Sequence, residues 1–204
     1  MKITNITTTE LFYPHGQVVQ DSTTPLQSSV KSQLFIHIHT DAGVEGLGIA
    51  QSSPGVREVV EGGLKNILIG EDPLAIEKLW EDMFWAVRGY GRKGIAFLAI
   101  SGVDIGLWDL KSKFFGTPLY MLLGPYTDEV EIYGSGGWTN FSEHELVREM
   151  TDYVEKGISR VKMKVGKDFG KSEREDIERL AAVRKAVGDD VAIYIDANNG
   201  YYAK

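Results

Sequence analysis

Val161-Lys162-Met163-Lys164-Val165-Gly166 alternates apolar and charged residues at period two, the pattern of a β-strand. Side chains of a strand point to opposite faces in turn, so Lys162 and Lys164 share one face and Val161, Met163 and Val165 the other. About thirty residues later Val191-Ala-Ile-Tyr-Ile-Asp196 reads as the next parallel strand, and it stops at the polar tip Asp196-Ala-Asn-Asn-Gly200. A helical pattern lies between the two. Two lysines and a carboxylate are therefore expected at the ends of adjacent strands.

Upstream the same unit recurs. A short strand is predicted over Val130–Tyr133, leading into Gly134-Ser-Gly-Gly137. Helices are predicted to open at Ser142-Glu-His-Glu145 and Ser172-Glu-Arg-Glu175, both Ser-x-x-Glu capping boxes, and to stop at Gly157 and Gly188. Their inner faces are read as Leu146, Met150, Tyr153 or Val154, and as Ile177, Leu180, Val183 and Val187. A strand-helix unit of this period is a parallel βα array. An open doubly wound sheet and the start of a (β/α)8 barrel both fit it. The barrel is preferred, because an open sheet would set two lysines under a covering helix.

The first third reads as a small antiparallel sheet: Lys2–Tyr13, then Val30–Thr40 turning at Asp41-Ala-Gly43 into Val44–Ala50. The polar stretch Gly16–Ser29 between them has the length of a lid or binding loop. His37 and His39 share a strand face and are read as solvent-facing. His15 is the better histidine for touching a ligand. Three helical patterns follow: Pro54–Leu68, softened by Gly62-Gly63; one starting at Asp72-Pro73 with the stripe Ile76, Trp80, Met83, Val87; and Lys93–Phe115, apolar nearly all round and ended by Gly116-Thr-Pro118. Asp104 and Asp109 on the last are read as capping or pairing with Lys111 and Lys113.

The chain has 204 residues, 43% hydrophobic and 25% charged, with a net charge of -7 and no cysteine. Those values suit a soluble globular protein and argue against nucleic-acid or anionic-membrane partners, a disulfide scaffold and thiolate metal sites. No signal peptide or membrane-spanning run is read, so a cytoplasmic protein is expected.

Ala99-Ile-Ser-Gly-Val-Asp104-Ile-Gly-Leu-Trp-Asp109-Leu-Lys-Ser-Lys113, Gly116-Thr-Pro118, Leu122-Leu-Gly124, Lys162-Met-Lys164 and Asp196-Ala-Asn198 occur in this order and spacing. Together they resemble the first half of an enolase-superfamily enzyme of the mandelate racemase/muconate lactonizing type. Gly106 and Ser112 stand where alanine and glycine are common in that family. The resemblance implies an α+β capping domain over residues 1–124 and, over 125–204, the start of a (β/α)8 TIM-type barrel, incomplete at about three strands.

It also implies a chemistry, removal of the proton α to a carboxylate. Lys164 would be the base, aided by positive charge from Lys162 and a metal, and Lys162 would hold the substrate carboxylate. Asp196 would be one of three carboxylate ligands of Mg²⁺, an ion suited to oxygen donors. Enzymes of this superfamily pair a lysine or histidine base with Mg²⁺ that stabilises the enediolate. Ser135, Asn198 (if the strand continues) and His15 are expected to touch a small carboxylate substrate of the sugar-acid class, with Gly16–Ser29 as a mobile lid. The whole protein is expected to be an acid-sugar dehydratase, with a racemase, epimerase or cycloisomerase, or a non-catalytic remnant, as alternatives. The remaining ligands are not found before Lys204, so a truncated, singly inactive fragment is expected, with a homo-oligomer covering its open edge.

Overall fold

The computed structural model describes residues 1–14, 16–24 and 30–202. His15 and Pro25–Ser29, on which a site residue and part of the lid were expected, lie outside the described residues. The chain divides into two compact units, Met1–Tyr13 with Val30–Asp128 and Pro14–Ser29 with Glu129–Lys204.

The first unit is a three-stranded sheet, β1 (Ile3–Pro14), β2 (Val30–Thr40) and β3 (Glu45–Gln51), in that order, with helices against one face. β2 and β3 are antiparallel, with Ile36 opposite Gly48 and His39 opposite Glu45. Period-two alternation buries Leu34, Ile36 and Ile38 and turns His37 and His39 outward, where their Nδ1 atoms meet Glu45 at 2.7 and 3.1 Å.

α1 runs through Val56–Val59, a π-helical turn Val60–Leu64 and Lys65–Leu68, and the turn contains Gly62-Gly63, where the sequence weakens the helix. α2 (Ile76–Ala86) begins later than Asp72-Pro73 predicts. Asp72 bonds the Leu74 and Ala75 amides (both 3.1 Å), so it closes a turn rather than starting the helix. Ile76, Met83 and Val87 of its predicted stripe are buried and Leu79 joins them; Trp80 instead is exposed and stacks on Phe84 at 5.3 Å.

α3 (Ile95–Phe115) lies on β3 through glycines. A Cβ on Gly48 would sit 1.9 Å from the Gly102 carbonyl, and one on Gly46 2.2 Å from that of Gly106, so the backbones meet only without side chains. Ile100, Val103, Leu107 and Leu110 are buried, whereas Ile95 and Ile105 face outward within this unit. Asp109 pairs with Lys113 at 2.6 Å and accepts the Leu47 amide at 2.7 Å, tying helix to sheet. Gly116, at φ 61°, ends the helix, with Thr117 N–H donating to Ser112 O at 3.0 Å. The short α4 (Leu119–Leu122) follows.

The second unit is a parallel sheet of β4 (Gly134–Ser135), β5 (Arg160–Lys164) and β6 (Ala192–Asp196), in that order. Ser135 is level with Lys162, and Lys164 with Asp196. The strand predicted over Val130–Tyr133 is not formed. Gly134 pairs with Val161, so residues before Tyr133 precede the start of β5 and have no strand there to bond to.

α5 (Glu143–Glu155) starts with the full reciprocal capping box of Ser142 and Glu145. α6 (Glu173–Val187) does not. The preceding Lys167–Gly170 turn places Asp168 and Phe169 in left-handed conformations, Ser172 donates instead to Asp168 at 2.9 Å, and Glu175 is taken by Lys167 at 2.6 Å. On α6 Val183 is buried with Leu180 and Val187 beside it, but Ile177 is 67% exposed. The buried face holds Asp176 and Arg179 instead. Among the described residues no helix is long and apolar enough to cross a membrane.

Candidate functional site at the carboxyl ends of the parallel strands

Val161, Met163 and Val165 are buried among Leu146, Met150 and Val183, which forces Lys162 and Lys164 to the opposite face of β5. The parallel register then brings Asp196 level with Lys164. Lys164 Nζ donates to Asp196 Oδ2 at 2.7 Å and Lys162 Nζ approaches the same oxygen at 3.3 Å. Lys164 is only 8% exposed. The bond from Lys164, then the Asn198 amide on Oδ1 at 3.0 Å, lowers the Asp196 carboxyl to about 2 against the opposing effect of burial. Both ammoniums also face aromatic rings, Lys164 5.6 Å from the centre of Trp138 and Lys162 5.2 Å from that of Tyr133.

Ser135 ends β4 on the face of Lys162, with an exposed side chain. Around it the backbone is tight: a Cβ on Gly134 would lie 2.2 Å from the Tyr153 ring, and one on Gly137 (φ 63°) 2.6 Å from Met163 Cβ. Glu149 accepts the Gly137 amide at 2.6 Å, and burial pushes its carboxyl up.

Asn198 does not continue β6. The strand stops at Asp196, Asn198 is left-handed at φ 43°, and its carbonyl accepts Thr23 Oγ1 at 3.0 Å while its Oδ1 is buried without a partner.

The segment expected as a mobile lid is tied down over its described part. Thr139 N–H donates to Gln20 O at 2.9 Å, Asn140 Nδ2 to Val18 O at 2.9 Å, Phe169 N–H to Ser22 O at 3.1 Å, and the Ser22 hydroxyl to Ala197 O. Val19 is buried beside Phe141. Burial pushes the Asp21 carboxyl up, but the amides of Thr23 and Thr24 and the charge of Lys164 outweigh it and hold it below the ordinary range.

Trp138, Tyr133 and Asp21 lie beside the lysines, and Asp176 and Arg179 bond the loops that follow the strands; none was picked out from the sequence as a site residue. For the last two a signal existed: Asp176, Arg179, Leu180, Val183 and Val187 share one helical stripe, but charged members are ordinarily read as outward. Among the described residues no group of three or more His, Cys, Asp or Glu side chains is placed to hold a metal. Asp196 has the chemistry of a magnesium donor, but the described residues do not complete a magnesium site.

An α+β unit, a parallel βα array and lysines facing an aspartate at its strand ends define the half of an enolase-type architecture. Comparison with known proteins agrees. Residues 15–124 match the mandelate racemase / muconate lactonizing enzyme N-terminal domain, and residues 145–204 the enolase C-terminal domain-like family. The chain belongs to the mandelate racemase/muconate lactonizing enzyme family of the enolase superfamily.

It is 42% identical over 171 residues to arabinonate dehydratase of Saccharolobus solfataricus, covering 80% of this chain and 44% of that one. It is 38% identical over 169 residues to L-talarate/galactarate dehydratase of Salmonella typhimurium (81% and 42%), whose crystal structure liganded with Mg and L-lyxarohydroxamate matches at a TM-score of 0.86, with 32% identity over 98% of this chain and 53% of that one. D-galactarolactone cycloisomerase of Agrobacterium fabrum is 34% identical over 175 residues, 84% of this chain and 45% of that one. The chain thus spans about half the length of the curated relatives it matches.

Proposed function

We propose that this chain supplies the base, the carboxylate anchor and one metal ligand of an enzyme that removes the α-proton of a sugar acid. The observation that carries the reading is the convergence of Lys162 and Lys164 on Asp196 Oδ2 across two adjacent parallel strand ends. Lys164 takes the proton onto Nζ. Lys162 is the second lysine drawn to the same carboxylate oxygen. Lys162 holds the substrate carboxylate, and the exposed Ser135 is placed on the same face to meet a substrate hydroxyl. Asn198 meets substrate through the turn that closes β6, and His15 completes the proposed contacts.

Magnesium is the group that Asp196 would help to hold, supplying Lewis-acid stabilisation of enediolate charge. The acidic donors that complete its site come from outside the described residues, so the chain alone is expected to be silent. Dehydration, with loss of the β-hydroxyl as water, is the favoured outcome, supported by the two dehydratases among its relatives. Isomerisation shares the first step and is supported by the cycloisomerase.

The test is α-proton exchange in D2O, followed by proton NMR, with Mg²⁺ and a panel of aldonates and aldarates. It is run on the chain alone and on a protein in which the chain is continued to the length of its relatives. Exchange by the longer protein, lost on Lys164→Ala, is expected. A 2-keto-3-deoxy product identifies a dehydratase, and an epimer or lactone an isomerase. Exchange that survives Lys164→Ala would overturn the assignment of the base.

A further inference from the structure

Asp176 and Arg179 lie one turn apart on α6, 4% and 5% exposed, in a face that otherwise buries Val183. Burying a charge is costly unless its bonds are met, and an apolar residue would fill such a face more cheaply. Their bonds go to loops. Arg179 Nη1 donates to Phe141 O at 2.6 Å and Nη2 to Trp138 O at 2.9 Å, so the planar guanidinium fork spans the β4–α5 loop. Asp176 Oδ2 accepts the Gly166 amide at 2.8 Å and the Tyr201 hydroxyl at 2.9 Å. Arg179 Nε and Asp176 Oδ1 are left without partners, so neither side chain is spent on a local helix bond.

The held segments are those that carry the site. Gly166 (φ 84°) stands two residues after Lys164, Trp138 presents its ring to Lys164 Nζ, and Tyr201 follows the loop that closes Asp196. Burial and the bond to Asp176 push the Tyr201 hydroxyl up to about 12, so it remains a donor.

We propose that Asp176 and Arg179 are positioning residues: from one helix they clamp the segments that follow β4, β5 and β6, and so set where Lys164 stands between Trp138 and Asp196. This rests on the assignment of Lys164 as the base. Its consequence is that α6 carries part of the site's geometry without touching substrate.

The test is site-resolved acetylation of the chain's lysines by acetic anhydride, quantified by mass spectrometry, which needs no turnover. Lys156 and Lys185 report the same unit and Lys78 and Lys113 the other. In Asp176→Ala and Arg179→Met, Lys164 is expected to acetylate about tenfold faster as its loops are released, with the other lysines unchanged. Asp176→Asn, which keeps an oxygen acceptor, is expected to return most of the protection. If the alanine variant does not fold, the decision falls on Arg179→Met and on Tyr201→Phe, the latter removing one of the two bonds to Asp176 and expected to raise Lys164 alone by a smaller factor. An unchanged Lys164 in folded variants overturns the proposal, as does a uniform rise across Lys156, Lys164 and Lys185, which would mark the pair as folding determinants only. A responsive Lys164 in a protein that exchanges no α-proton would keep the positioning role and sink the proposed chemistry.

Discussion

The two units of the chain bury different things. In the first, the core is apolar throughout: Ile36, Ile38, Leu79, Met83, Leu107 and Leu110 meet across sheet and helix, while ion pairs such as Lys78–Glu71 and Lys113–Asp109 lie at its surface. In the second, the core beneath β5 is small, and the buried polar residues of the described chain, Ser22, Thr139, Lys164, Asp176 and Arg179, are all found there. A buried charge adds little net stability, because the cost of taking it out of water offsets what its bonds return. The contrast separates a unit held by apolar packing from one whose interior also holds charged and hydrogen-bonded side chains.

The largest effect expected to sharpen that contrast is functional. Lys164→Met should lower α-proton exchange by about 10²–10⁴-fold, measured by NMR in the protein continued to the length of its relatives, while changing the denaturation midpoint little because Lys162 still pairs with Asp196. A large loss of stability would place Lys164 among structural residues and blur the distinction. In the first unit the reverse is expected: Leu107→Ala should cost about 2–5 kcal/mol in urea unfolding and leave the acetylation rate of Lys164 unaltered.

Smaller effects separate the two Ser-x-x-Glu starts. Ser142→Ala should cost about 1 kcal/mol by thermal or denaturant unfolding, because its side chain caps α5. Ser172→Ala should cost only a few tenths, since that hydroxyl makes no cap bond. Equal losses would restore the predicted symmetry of the two helices.

The smallest is a slope in pH. Tyr201 is raised to about 12 in the folded chain from an ordinary 10.0, so its contribution is present below pH 10 and is lost as pH rises through about 12. Tyr201→Phe should flatten that part of the stability profile, measured by denaturant midpoints between pH 9 and 12.

Much of this was legible in the residues. Period-two alternation placed β2, β3 and β5, and apolar stripes placed α3, α5 and most of α6, because those patterns are set by local geometry. That Lys162, Lys164 and Asp196 end adjacent strands was legible as well, since parallel strands separated by one helix bring their ends together. The readings that failed depended on a neighbour. Val130–Tyr133 has strand composition but no strand beside it, and Ser172 has the capping sequence but is claimed by Asp168. Ile177 was placed inside on its hydrophobicity while Asp176 and Arg179 took the face, because only the loops above α6 give buried charges their partners.

The amino-acid order by itself determined the elements, the two lysines on one face of β5 and the carboxylate that ends β6, all consequences of backbone period and of helix-ending glycines. Tertiary structure alone decided that both ammoniums meet on one oxygen of Asp196, that Val18–Thr24 is bonded down beside them, and that α6 holds three loops through two buried charges. Those outcomes are hydrogen bonds between segments far apart in the chain, and no local pattern encodes which distant partner a polar group will find.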